Sequence, residues 1–226
     1  MIKAILFDFD DTLCQTFEQV LKIENTVLHD MNRKPFTKEA LKQTWGPPRQ
    51  DAIVVRSPGI NVKDFMNRYY ALAQALHEKN EIDVVSESNL KVLEKIQEWD
   101  INVSVLTSRS ANEVRHLALP SSQLTKSIDS IYDTDATKHR KPDPRVFDVV
   151  LKDLQVHPSE ILYVGDALDD AIASIKAGIH FVATLESGLR TKADFNGLRV
   201  DAFINNLTEL IPLIVMWNKT SKKTLG

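Results

Sequence analysis

Three aspartates follow the first apolar run of the chain, in the stretch FDFDDTL at residues 7–13. Residues 2–7 are apolar and partly β-branched, which is typical of a strand buried on both faces of a parallel sheet. Asp8, Asp10 and Asp11 come at its end. Two unit charges about 4 Å apart repel by roughly 4 kcal/mol at an effective dielectric constant near 20, so clustered carboxylates need compensation. A bound cation would supply it.

Polar residues also follow two later apolar runs. The run INVSVL is followed by Thr107 and Ser108, and the run ILYV is followed by Asp166, with Asp170 one helical turn further on. In open α/β sheets the ligand site lies outside the carboxyl ends of the strands. We therefore expect these side chains to meet the first aspartates at one edge of a sheet.

A lysine on a stiffened loop is the fourth candidate. Lys141 precedes Pro142 in RKPDPRVF, and proline restricts the residue before it to extended conformations. Each of these features is common on protein surfaces when it occurs alone. Their joint placement at strand ends favours a single site.

The elements that must position these residues fall into two parts. Residues 14–85 carry apolar side chains at three- and four-residue spacing, as in residues 17–31 and 62–76, which predicts helices separated by the loops TWGPPRQ and RSPGI. From residue 86 onwards, helices alternate with apolar runs at 101–106, 127–132, 161–164 and 179–184. This alternation predicts right-handed crossovers and a doubly wound parallel sheet of the α/β class.

Composition favours small-molecule chemistry. The chain has 226 residues, 43% hydrophobic and 26% charged, with a net charge of −3 and no basic surface signal for nucleic acid. Cys14 is the only cysteine, so no disulfide can form within the chain. We see neither a signal peptide nor a run of roughly 20 apolar residues, and we predict a cytoplasmic protein that does not bind membranes. The polar tail at residues 218–226 is expected to be a frayed end.

The stretches FDFDDTL, VLTSR, KPDP and VGDALDD resemble the four motifs of the haloacid dehalogenase-like hydrolase superfamily, and in particular its phosphoglycolate phosphatase-like branch. The helical insertion falls where that family places a mobile cap. The resemblance implies a Rossmann-like core at residues 1–13 and 86–226 and a helical cap domain at residues 14–85. It also implies a phosphatase that uses Mg²⁺ and forms an aspartyl-phosphate.

Carried over to this chain, the resemblance assigns roles to the residues of the four motifs. Asp8 would be the nucleophile and Asp10 the general acid and base. Thr107 and Lys141 would contact the phosphoryl oxygens, and Ser108 is a further candidate for substrate binding. An aspartate at residue 10 favours phosphoryl transfer over dehalogenation, because it can protonate a leaving alkoxide.

The resemblance also implies a metal site. Mg²⁺ would be held by Asp8, Asp166 and the backbone carbonyl of Asp10, while Asp170 would either bind the ion or support its ligands. The GDxxxD spacing favours Asp170 over its neighbour Asp169. Asp11 stands where the family often has glycine, and we interpret it as a solvated or capping carboxylate.

Selectivity is expected to come from the insertion. The stretch TWGPPRQ resembles the loop that helical caps extend toward the active site, and Arg49 in it could bind a carboxylate or second phosphate through its planar donors. The alternative for Arg49 is a solvated surface arginine.

The predicted function is hydrolysis of a small phosphorylated metabolite. Two alternatives stay open: a phosphomutase of the β-phosphoglucomutase type, and a catalytically idle binding module. The sequence leaves the natural substrate and the oligomeric state undetermined.

Overall fold

A parallel sheet of six strands forms the centre of the molecule, for which a computed structural model describes residues 1–223. The spatial order is β3-β2-β1-β4-β5-β6, and every neighbouring pair is parallel. In chain order the strands are β1 (Ala4–Phe7), β2 (Asn102–Leu106), β3 (Ser130–Tyr132), β4 (Ile161–Gly165), β5 (His180–Thr184) and β6 (Ala202–Ile204). The predicted doubly wound parallel sheet is confirmed, and β6 is a strand that the apolar pattern missed.

Helices connect the strands and cover the sheet. The α-helices are α1 (Phe17–Asp30), α2 (Lys38–Gln43), α3 (Arg49–Arg56), α4 (Val62–His77), α5 (Glu87–Gln97), α6 (Ala111–Val114), α7 (Thr134–Thr137), α8 (Asp148–Leu154), α9 (Leu168–Ala177) and α10 (Leu210–Lys223). Short 3-10 helices lie at Arg115–Ala118, Leu124–Lys126, Pro144–Phe147, Pro158–Glu160, Lys192–Phe195 and Leu207–Glu209.

The two faces of the sheet bury two separate hydrophobic layers. Ile5 and Phe7 of β1 point into the layer that contains α5 and α10, while Ala4 and Leu6 point into the layer that contains α8 and α9. Successive side chains of a strand alternate between faces, so a strand that is apolar throughout must be covered on both sides. This burial holds β1, and the aspartates that follow it, in the middle of the fold.

The helices α1, α3 and α4 have a hydrophobic cluster of their own. It includes Ile23 and Leu28 of α1, Ile53 of α3 and Phe65 of α4. The predicted loops overlap α3, which begins at Arg49 directly after Pro48. The domain boundaries at residues 13/14 and 85/86 stay a prediction.

The chain continues beyond β6 as a long helix. Leu210 and Ile214 of α10 are fully buried in the layer on one face of the sheet. The expected frayed end is wrong for residues 218–223, which belong to α10, while residues 224–226 lie outside the described residues. Within the described part of the chain, no helix combines the length and apolar character needed to cross a bilayer.

Candidate active site

The predicted site residues meet at the carboxyl edge of the sheet, where the strand order reverses. Asp8 follows β1 and Asp166 follows β4, two parallel neighbours, and the chain continues from β1 to β2 on one side of the pair and from β4 to β5 on the other side. The backbone N–H of Asp8 donates to the carbonyl of Val164 at 2.8 Å. Such a reversal point is where open α/β sheets bind ligands.

Lys141 connects the acidic residues of this edge. Its Nζ lies 3.0 Å from Asp8 Oδ1 and 2.6 Å from Asp170 Oδ1, and it donates to the hydroxyl of Tyr163 at 2.9 Å. The peptide bond between Lys141 and Pro142 is cis. The loop that precedes the 3-10 helix Pro144–Phe147 brings the lysine into the cluster, more than 130 residues along the chain from Asp8.

Burial and mutual repulsion disturb the ionisation of these carboxyl groups. Burial, opposed by Lys141 and reinforced by Asp170 and Asp10, raises the pKa of Asp8 to about 7. Burial, together with the charges of Asp170 and Asp8, also raises the pKa of Asp166 well above its usual range. The cluster therefore carries more negative charge than Lys141 alone compensates.

The carboxylates are arranged as a metal ion would require. One oxygen from each of Asp8, Asp166 and Asp170 lies within 4.8 Å of the others, close to the spacing of roughly 4 Å between opposite oxygens around Mg²⁺. Asp166 Oδ2 is buried and accepts no hydrogen bond. Hard cations bind such oxygens, so the donor set fits Mg²⁺.

Asp170 differs from Asp166 because both of its oxygens are already engaged. Oδ1 accepts from the hydroxyl of Tyr163 at 3.1 Å and pairs with Lys141, and Oδ2 accepts from the N–H of Ala167 at 3.1 Å. Asp170 is thus suited to hold Lys141 in place, and Asp166 is the better candidate for direct metal contact. Asp169 is not a member of the three-carboxylate group.

Asp10 points its carboxylate toward different partners. Its Oδ1 accepts from Thr16 Oγ1 at 2.5 Å, and Arg109 donates through Nε to Oδ2 at 2.9 Å and through Nη2 to Oδ1 at 2.7 Å. Burial acts to raise the pKa of Asp10, but the charge and hydrogen bonds of Arg109 outweigh it and hold that pKa below its usual value. The expected metal contact of Asp10, through its backbone carbonyl, stays a prediction.

Asp11 is a capping residue, as one of the two interpretations held, but it is not solvated. Only 1% of its surface is exposed, and its backbone has the left-handed φ of 54°. Its Oδ1 accepts from the N–H groups of Thr16 at 3.0 Å and Phe17 at 3.3 Å, at the start of α1. Burial and the charge of Asp10 raise the pKa of Asp11 to about 7.

The two polar residues after β2 lie in different surroundings. Thr107 is buried, and its Oγ1 accepts from the N–H of Arg109 at 3.2 Å. Ser108 lines the cavity of about 60 Å³ that contains Asp8 and Lys141. Their expected contacts with phosphoryl oxygens stay a prediction.

Arg49 lines the same cavity from the side of the helical insertion. Its Nη1 donates to Glu24 Oε1 at 2.7 Å, its Nε donates to Glu113 Oε1 at 3.2 Å, and its guanidinium lies 3.9 Å from the centre of the Tyr69 ring. The side chain is 9% exposed, so the solvated-surface alternative is wrong. Substrate binding by Arg49 stays a prediction.

Several participants were not found from the sequence. Tyr163 lies within an apolar strand, and Glu24 and Glu113 lie on helices where a charged residue usually faces solvent. Arg109 is part of the stretch VLTSR, but no role was predicted for it. The one signal for Arg109 in the sequence is its position two residues after Thr107, which directly follows β2.

Known proteins resemble this chain in sequence and in fold. The haloacid dehalogenase-like hydrolase family matches residues 5–184. Pyrophosphatase PpaX from Bacillus thuringiensis (strain Al Hakam) is 23% identical over 219 residues, covering 97% of this chain and 99% of that protein.

Solved structures share the fold. CbbY from Rhodobacter sphaeroides, in complex with phosphate, has a TM-score of 0.79 and 21% identity, covering 93% of this chain and 96% of its own. A predicted phosphoglycolate phosphatase from Haemophilus somnus has a TM-score of 0.79 and 17% identity, covering 94% of this chain and 98% of its own.

Proposed function

This chain belongs to the haloacid dehalogenase-like hydrolase family, and on that premise we propose that it is a Mg²⁺-dependent phosphatase. It would hydrolyse a small phosphate ester through an aspartyl-phosphate on Asp8. The observation that carries the proposal is the buried group of Asp8, Asp166 and Asp170 around Lys141, at the point where the strand order reverses.

The first half of the reaction transfers the phosphoryl group to the protein. An oxygen of Asp8 forms a bond to phosphorus while the bond from phosphorus to the leaving oxygen breaks. Lys141 lies beside the attacking carboxylate and balances charge on the phosphoryl oxygens, where it is spread in the transition state. Asp10 acts here from its protonated form, which is the minor form because Arg109 holds its pKa below the usual value, and gives that proton to the leaving oxygen, so that an alcohol departs.

The second half returns Asp8 to its starting state. Asp10, now a carboxylate, takes a proton from water as the water oxygen attacks phosphorus. The bond between phosphorus and Asp8 breaks, and inorganic phosphate is released. Splitting the hydrolysis into two displacements replaces one difficult step by two easier ones.

Asp8 and Asp166 are the residues that would hold Mg²⁺, whose charge lets a carboxylate approach the phosphate dianion. Asp170 would keep Lys141 beside Asp8, since both of its oxygens are engaged in that task. The raised pKa of Asp8 and of Asp166 supports a need for such a cation.

The substrate we propose is small and carries a second negative group. The cavity is about 60 Å³ in volume, and Arg49 and Arg56 both line it, with Glu24 between them. The names of the relatives point to substrates of that kind: pyrophosphate for PpaX, phosphoglycolate for the Haemophilus somnus protein, and xylulose-(1,5)bisphosphate in a complex of CbbY.

The proposal is tested by measuring phosphate release from a panel that contains these three compounds, sugar phosphates, nucleotides and 4-nitrophenyl phosphate. Wild-type protein should release phosphate with Mg²⁺ and stop when EDTA is added. Asp8→Asn should lower turnover by at least about a thousandfold, because an amide is a far weaker nucleophile than a carboxylate. Asp129→Asn is the matched control: it changes a carboxylate at the amino ends of the strands, where Oδ2 accepts from the N–H of Val103.

The alternatives give different results in the same assay. A phosphomutase would convert a hexose 1-phosphate into the 6-phosphate instead of releasing phosphate. A catalytically idle module would show no EDTA-sensitive turnover of any compound. Undiminished turnover by Asp8→Asn would exclude the nucleophile proposed here.

A further inference from the structure

We propose that Arg109 and Asp83 are positioning residues for Asp10, and that together with Thr16 they leave a single lone pair of its carboxylate, on Oδ2, for proton transfer. The inference rests on the proposed function, in which Asp10 is the acid and base. It adds how the chain selects one oxygen of that group, and it links the Asp10 carboxylate to both connections between the sheet and the helical insertion.

The hydrogen bonds of Asp10 can be counted against its capacity. A carboxylate offers about four lone-pair sites, two on each oxygen. Oδ1 accepts from Thr16 Oγ1 at 2.5 Å and from Arg109 Nη2 at 2.7 Å, which occupies both of its sites. Oδ2 accepts only from Arg109 Nε, at 2.9 Å. One site on Oδ2 therefore remains on a side chain that is 22% exposed and lines the cavity beside Asp8.

Arg109 is itself fixed on its other edge. Nη1 donates to Asp83 Oδ2 at 2.7 Å and Nη2 donates to Asp83 Oδ1 at 2.9 Å, so the planar guanidinium lies between two carboxylates. Its Cζ lies 4.7 Å from the centre of the Phe9 ring, and the side chain is 7% exposed. A planar group held by paired hydrogen bonds at both edges cannot rotate without breaking several of them.

The two supports of Asp10 come from different connections of the chain. Thr16 lies just before α1, where the chain leaves the sheet for the helical insertion, and Asp83 lies between α4 and α5, where the chain returns. Asp83 is 5% exposed in its side chain, and its Oδ2 lies 2.8 Å from His116 Nε2. Both connections between the sheet and the helical insertion thus contribute a residue that supports the Asp10 carboxylate, Thr16 directly and Asp83 through Arg109.

A purely structural role for the Asp10–Arg109–Asp83 contact makes a different prediction. In that case the contact would only hold the helical insertion to the sheet. Its loss would lower the amount of active protein, so that the apparent kcat and kcat/KM would fall by the same factor for every substrate and KM would not change. A positioning role must instead depend on how strongly each reaction needs a proton from Asp10.

The test compares two substrates of the wild-type enzyme: 4-nitrophenyl phosphate and the alkyl phosphate that the panel shows to be turned over fastest. The constant kcat/KM reports the steps up to departure of the leaving group. A nitrophenolate departs without needing a proton, whereas an alkoxide needs one from a general acid, which contributes typically 10²–10⁴-fold. Arg109→Lys keeps the charge but loses the fork, and Asp83→Asn leaves Arg109 intact but weakens its support.

We expect Arg109→Lys to lower kcat/KM for both substrates, and the factor for the alkyl phosphate should be at least about ten times the factor for 4-nitrophenyl phosphate. The affinity for Mg²⁺ should not change. Asp83→Asn should show the same pattern with a smaller factor. Asp129→Asn, which touches neither Asp10 nor the cavity, should lower the melting temperature and leave the ratio between the two substrates unchanged.

Equal losses for both substrates in Arg109→Lys and in Asp83→Asn would overturn the inference and leave the proposed function standing. Should Arg109→Lys fail to fold, Asp83→Asn alone decides by the same ratio. A wild-type protein without turnover of any phosphate would overturn the proposed function, and this inference with it.

Discussion

Gly165 ends β4 and leaves the space that Asp170 occupies. A Cβ at this position would lie 2.3 Å from Asp170 Oδ2 and 2.7 Å from its Cγ, far inside contact distance. The carboxylate could make room only by giving up its bonds to Lys141, Tyr163 and the N–H of Ala167. Glycine is thus required at residue 165 because a side chain there would collide with Asp170, and not because of its own backbone angles.

Substitution of this glycine tests the role of Asp170. Gly165→Ala should lower kcat by at least about tenfold, because Lys141 loses the carboxylate that holds it beside Asp8. Gly188→Ala is the control: nothing lies within 4 Å of its Cβ, but its φ of +69° makes alanine strained by about 1 kcal/mol. It should lower stability and leave kcat unchanged, and equal kcat values for the two variants would contradict the packing argument.

Asp11 is expected to make the stability of the folded chain fall as the pH rises, which is opposite to the effect of most carboxyl groups. Its pKa is about 7 in the folded chain, against the ordinary 3.8. A carboxyl group whose pKa is raised by folding binds its proton more tightly in the folded state, so its contribution to stability is complete below pH 4. That contribution is lost as the pH rises through 7, by up to about 4 kcal/mol.

Asp11→Asn should remove this dependence. Asparagine keeps an oxygen for the N–H groups of Thr16 and Phe17 and tolerates the left-handed backbone at φ 54°. The free energy of unfolding of the variant, minus that of the wild type, should therefore increase between pH 4 and pH 8 in denaturant titrations. A difference that stays constant over this range would show that Asp11 ionises normally.

The sequence predicted the helices and strands that have long apolar runs. The strands β1, β2, β4 and β5 are buried on both faces, so most of their residues are apolar and easily recognised. The strand β6 has only three residues and was missed, whereas β3, which is equally short, lies within the longer run at 127–132 that the sequence did indicate. In α10, Pro212 occupies the first turn, where a helix tolerates a residue without an N–H.

The candidate site likewise contains residues that the sequence predicted and residues that it did not. Asp8 and Asp166 could be predicted because they follow strands whose ends must share an edge. Tyr163, Asp83 and Glu24 could not, since each acts through a contact with a residue far along the chain. A pattern along one strand or helix does not specify which buried charge will meet which partner.

The last helix is expected to contribute to the stability of the sheet. Leu210 is fully buried in the layer that also contains Ile5 and Val103, so Leu210→Ala should lower the free energy of unfolding by about 2–5 kcal/mol. Val215, which is 36% exposed, is the control, and Val215→Ala should cost less than about 1 kcal/mol. Similar costs for both variants in urea titrations would mean that α10 does not pack as described.

The group of three carboxylates links metal binding to folding. Asp8, Asp166 and Asp170 lie on segments that follow β1 and β4, so they come together only when the sheet is formed. A ligand that binds the folded state alone stabilises it, by about 2.7 kcal/mol at a hundred times its dissociation constant. For a chain of this length, each kcal/mol raises the melting temperature by about 2–4 °C.

Magnesium should accordingly raise the melting temperature of the wild-type protein by about 5–10 °C at saturating concentration, measured by calorimetry against EDTA. Asp166→Asn should reduce that increase to less than half, because it removes the one oxygen of the group that is buried without a hydrogen bond. In EDTA at pH 8 the variant should melt above the wild type, since burial and the neighbouring charges raise the pKa of Asp166 and make its ionised form costly. Asp169→Asn, one residue from Asp170 but outside the group, should respond to magnesium as the wild type does. If Asp166→Asn gained as much from magnesium as Asp169→Asn, the ion would have to bind elsewhere, and the buried carboxylates would need another explanation.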